Sequence, residues 1–61
     1  MNYIVKNPIG IDQGIVIISW RPPGHPEDAQ DWYEGDTFTP PDRMDVADVE
    51  DWLENGFIEE A

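Results

Sequence analysis

The sequence predicts an α+β fold: a small antiparallel sheet of three or four strands with one C-terminal helix packed on it, in a single domain over residues 1–61. Three observations lead there. An uncharged, β-branched run at Ile15-Val16-Ile17-Ile18 reads as a strand, and Val46, Val49, Trp52 and Leu53 recur at helical spacing. Proline and glycine clusters cut the remainder into short pieces.

Tyr3-Ile4-Val5 is a β-prone segment ended by Asn7-Pro8, where proline removes a backbone donor and restricts the residue before it. Beyond the turn-like Asp12-Gln13-Gly14, the stretch Ile15 to Trp20 is the strongest strand candidate. Apolar residues on both its faces predict a central strand, buried on two sides or covered by a partner. The loop from Lys6 to Gly14 then turns it antiparallel to the first strand, with a bulge near Gly14. Arg21-Pro22-Pro23-Gly24-His25-Pro26 excludes a helix interior and a central strand, and so forms a stiff connector. Glu27 to Tyr33 has room for a helical turn. Glu34-Gly35-Asp36 offers a turn into a short edge strand, Thr37-Phe38-Thr39, which Pro40-Pro41 ends.

Asp45 is placed to cap a helix over Val46 to Asn55, with Asp48 in its first turn, where the positive end of the dipole favours an acid. Gly56 supplies the left-handed residue that closes it, and Phe57 folds back towards Trp52 in a Schellman ending. Phe57-Ile58-Glu59 adds a last strand. Trp52, Phe57, Phe38 and the inward side of Ile15–Ile18 make the expected core.

A chain of 61 residues must use nearly all its apolar groups to offset the backbone entropy of ordering, about 1 to 2 kcal/mol per residue. Little is left to wall a deep pocket, so size argues against an enzyme. No cysteine is present, which removes disulfides and the commonest zinc sites and points to an intracellular or assembly-embedded protein. The longest apolar run falls far short of the roughly 20 residues that span a bilayer, and the N-terminus carries no export pattern.

Fourteen carboxylates face only Lys6, Arg21 and Arg43, for a formal charge of −11. Such a charge disfavours nucleic acid and anionic membranes as direct ligands and favours a basic or neutral protein partner, with homo-oligomers also open. The row Asp45, Asp48, Asp51, with Glu50 and Glu54, presents closely spaced anions. Trp20 and Trp32, flanked by prolines and acids, are the expected exposed anchors for a partner, with Tyr33 beside them. No cofactor is expected. His25 with Glu27 and Asp28 lacks the spacing of known metal sites, and Asp28, Asp31 and Asp36 lack the ordered loop of a calcium-binding hand. Ser19 has no base near it in sequence, and paired carboxylates are too abundant here to mark acid–base chemistry.

The C-terminal half, Trp32-Tyr33-Glu34-Gly35-Asp36-Thr37-Phe38, then Pro40-Pro41, then Val46, Val49, Trp52-Leu53 and Gly56-Phe57-Ile58-Glu59, resembles small tailed-bacteriophage proteins. In these an aromatic-x-Gly-Asp turn leads into a short strand, a proline, a short helix and a terminal strand. The resemblance covers about half of the chain and leaves out Tyr3 to Trp20. It implies a non-enzymatic structural or assembly protein, capsid-associated or head-to-tail, with capsid or connector subunits as partners and the virion or host cytoplasm as its place. The charge alone suggests an alternative, an acidic mimic of nucleic acid that binds a basic host or phage protein.

Overall fold

A computed structural model describes all residues from 1 to 61. The chain runs β1 (Tyr3–Val5), β2 (Ile18–Trp20), a 3-10 turn (Pro26–Asp28), β3 (Gln30–Trp32), β4 (Thr37–Phe38), α1 (Val46–Glu54) and β5 (Ile58–Glu60). This is the α+β architecture expected, with the strands divided between two antiparallel sheets. One has the order β4-β1-β5 and the other is the pair β2-β3.

The long hairpin between the first two strands is absent. β1 pairs with β4 through Tyr3–Phe38 and with β5 through Val5–Ile58, while β2 pairs only with β3. The central strand is therefore β1. Tyr3 and Val5 point into the core, and Val5 and its register partner Ile58 are both 1% exposed. Of the apolar run only Ile18 enters a strand, and Ile15 is 54% exposed in the preceding loop. Nor is β2 covered on two faces, since Ile18 and Trp20 are buried and Ser19 is exposed. A bulge-like irregularity lies beyond Gly14, where the Ile17 N–H donates to the Trp32 carbonyl (2.9 Å) although Trp32 is in register with Ile18.

The loop between β1 and β2 does not need to be a hairpin, because Asn7 closes it from within. Its side-chain amide donates to Ile11 O (2.7 Å) and to Glu34 Oε1 (3.0 Å), and its Oδ1 accepts from Ile11 N (2.8 Å). The helical turn expected over Glu27 to Tyr33 shrinks to Pro26–Asp28, and β3 takes up the rest. Gly35 adopts φ +90° at the third position of the Tyr33–Asp36 turn, a conformation that a side chain disfavours. The turn is closed twice, by Asp36 N to Tyr33 O (3.0 Å) and by Tyr33 N to Asp36 Oδ2 (2.8 Å).

Helix α1 begins as its sequence prescribes. Asp45 is extended, and its Oδ1 accepts from Ala47 N at 3.0 Å. It ends with Gly56 N to Leu53 O (3.2 Å) and Phe57 N to Trp52 O (2.8 Å), the two bonds of a Schellman ending, with Gly56 at φ +78°. The expected apolar face is narrower than its spacing implies. Val49 is buried and Trp52 half-buried, whereas Val46 is 68% exposed. Met44, just before the cap, is buried in its place.

Candidate interaction surface

The two sheets are joined by aromatic rings, with Trp32 at the centre. It stacks on Phe38 (centroids 4.2 Å, 17°) and lies near-parallel to Trp20 (6.5 Å, 14°), and it meets Trp52 edge-on (6.3 Å, 76°). Tyr3 extends the cluster through Phe38 (5.9 Å). Trp20 and Trp32, expected as exposed anchors, are thus 7% and 8% exposed and belong to the core. The cause is strand alternation. Ile18, Trp20 and Trp32 share the inner face of the β2-β3 pair, and Pro22 beyond them is itself buried rather than lifting Trp20 into solvent. Tyr33, one residue out of the strand, is 41% exposed.

A cleft of about 500 Å³ opens beside this cluster, with the edges of Trp20, Trp32 and Phe38 in its lining and the Arg43–Asp28 ion pair in its wall. A second groove, about 420 Å³, lies on the loop side of β2. Ile15, Ile17 and Tyr33 supply its apolar surface, and Asp12 and Glu34 supply carboxylates. Here an exposed isoleucine and a half-exposed tyrosine stand among acids, the mixture of apolar anchor and charged rim found at protein interfaces.

Each basic side chain has an acidic partner. Lys6 meets Glu59 (3.5 Å), Arg21 meets Asp31 (2.8 Å) and Arg43 meets Asp28, all at exposed sites. Three of the fourteen carboxylates take these cations, which leaves eleven without one. In the acidic row of the helix, Asp45 is engaged as the cap, Asp48 is half-buried in the first turn and Asp51 is exposed. The row therefore keeps its charges but not equally in the open, with Asp45 held in place by the cap and Asp48 partly covered.

Donor atoms of His25, Glu27 and Asp28 lie within 4.8 Å of one another, and His25 Nδ1 is 3.3 Å from Glu27 Oε1. Arg43 already supplies a positive charge to this trio through Asp28. Asp28, Asp31 and Asp36 do not act together as a cation site: Asp28 pairs with Arg43, Asp31 binds Arg21 and the Ser19 hydroxyl (3.1 Å), and Asp36 closes its own turn. No polar or charged residue is buried, and Ser19 has an aspartate, not a histidine, as its neighbour. The groove at Ile15 and Ile17 was hidden in the sequence because a β-branched, uncharged run reads as core; only the early turn, with Ile15 N bonded to Asp12 O (3.3 Å), marks it as loop. No helix is long and apolar enough to cross a membrane. Comparison with known protein families, curated proteins and solved structures found no match to this chain.

Proposed function

We propose that this protein is a non-enzymatic binding module that acts through protein–protein contacts, as a structural or assembly component of a phage-like particle. The observation that carries the reading is the groove at Ile15, Ile17 and Tyr33, where apolar surface is left open between Asp12 and Glu34. Leaving such groups in water costs stability that a domain this small has little of, and a partner surface removes the cost. Eleven carboxylates without a cation select a partner that is basic or at least not acidic. Capsid or connector subunits are the partners that the phage resemblance implies.

Sedimentation of native particles with antibody detection tests the assembly role. The protein is expected in the particle fraction in a fixed ratio to the shell subunits, and its absence from washed particles would overturn that role. The unpaired carboxylates also support a second reading, a mimic of nucleic acid that occupies a basic groove. That reading expects a basic protein recovered from cell extract at low ionic strength and released steeply by salt. Asp45, fixed as the helix cap, and Asp51 are the exposed anions of the row on which such a mimic would rely.

A further inference from the structure

Strand β2 has β3 on one side and no strand on the other. Arg21 Nη1 donates to both Trp20 O (3.0 Å) and Gln30 O (3.1 Å), so both carbonyls point between the strands. The bond from Ile17 N to Trp32 O places the Trp32 carbonyl there too. Hydrogen-bonded and non-bonded pairs alternate along an antiparallel ladder, so Ser19, opposite Asp31, turns its N–H and C=O outward. A groove of about 240 Å³ runs along this side, lined by Ile17, Ile18, Ser19, Trp52 and Phe57 and by no residue of β3.

The other strand edges are guarded. β5 carries Glu59 and Glu60, β3 carries Asp31, and β4 is two residues long with Pro40 close behind. From Ile15 to Trp20 there is neither charge nor proline. Natural sheets block free edges with such residues, and an edge without them is shaped to be paired. Pro22 and Pro23, which have no N–H, end it, so the added strand is short.

A second copy of the chain would bring another charge of −11 to this edge. Asp48 lies one helical turn before Trp52, on the same side of α1, with Asp51 next to it. The occupant is therefore of opposite charge. We propose that the outer edge of β2 takes up an extended segment of a basic partner protein as an added strand. Main-chain bonds form at Ser19, alternate apolar side chains enter the groove beside Trp52 and Phe57, and lysines or arginines face the carboxylates. This rests on the chain being a protein-binding module and specifies how it binds.

The test uses the whole chain and a capped peptide, Lys-Val-Lys-Val-Lys-Val-Lys, followed by NMR. Shift changes are expected at Ile17 to Trp20, Trp52 and Phe57, with exchange of the Ser19 amide slowed about tenfold or more on saturation. A chemically synthesised chain with the Ser19 amide N-methylated, and an unchanged circular dichroism spectrum, is expected to bind about tenfold more weakly or worse. The exchange measurement needs no variant and stands if that chain fails to fold. Absence of binding, or binding that leaves Ser19 exchange unchanged, overturns the edge proposal. So does equal binding of Glu-Val-Glu-Val-Glu-Val-Glu. A peptide-free dimer with Ser19 already protected overturns it as well, by assigning the edge to a second copy. The broader reading is tested by the particle experiment, so the two can fail separately.

Discussion

Trp32 touches more of the structure's logic than any other side chain, because it is stacked on Phe38 from the other sheet, parallel to Trp20 in its own, and edge-on to Trp52 from the helix. Replacing it by alanine removes all three ring contacts at one point. Large aromatic-to-alanine changes in a core cost about 3 to 5 kcal/mol. A domain of this length has only about 3 to 9 kcal/mol to lose. Trp32→Ala is therefore expected to lose at least about a third of the stability of the domain, as read by urea titration and near-ultraviolet circular dichroism. Tyr33→Ala, at the next position but 41% exposed, is expected to change stability by less than about 1 kcal/mol. The contrast between these neighbours was not legible in the sequence. Tyr33 is exposed. Trp20 and Trp32 read as exposed from their proline and acidic flanks, but their burial depends on which strands pair, and no local residue states that.

Elements whose ends are written locally were the readable ones. Both ends of α1 follow from residues within four positions, Asp45 at the start and Gly56 with Phe57 at the end. Asp45→Ala leaves the Ala47 N–H without its acceptor and is expected to cost about 1 kcal/mol. That corresponds to about 4 to 8 °C in melting temperature for a domain this small. Gly56→Ala meets no crowding, since a Cβ there lies 3.8 Å from Pro8 Cβ. Its cost comes from the positive φ alone, about 1 to 2 kcal/mol. A thermal melt of each variant checks both values, and a Gly56→Ala chain as stable as the parent would show that the left-handed cap is dispensable. Strand β3 was unreadable for the opposite reason. Gln30 and Asp31 have poor strand propensity, and they are held extended by β2 and by Arg21 across the pair. Ile15–Ile17 was misassigned for a local reason: its composition favours a strand, but the turn that bonds Ile15 N to Asp12 O delays the strand to Ile18.

Across the whole molecule the question is which electrostatic effect wins. The three ion pairs are exposed, and such pairs contribute about 0 to 1 kcal/mol each, which salt weakens. Repulsion among eleven uncompensated carboxylates is weakened by the same salt. Because repulsion involves far more groups, the melting temperature is expected to rise when sodium chloride is raised from about 10 mM to about 200 mM, over which the Debye length falls from about 30 Å to under 10 Å. A fall over that range would mean that the ion pairs dominate. The sheet order carries a further consequence. β1 is the earliest strand in the chain and the middle strand of its sheet, yet both of its neighbours are encoded after residue 36, and β5 reaches Glu60. Until Thr37 and Phe38 are made β1 has no strand to pair with, and until Ile58 is made it lacks its second neighbour, so its contacts close only across long sequence separations. Folding of this domain thus waits for its last strand, and a nascent chain stalled before Ile58 is expected to be as protease-sensitive as an unfolded one.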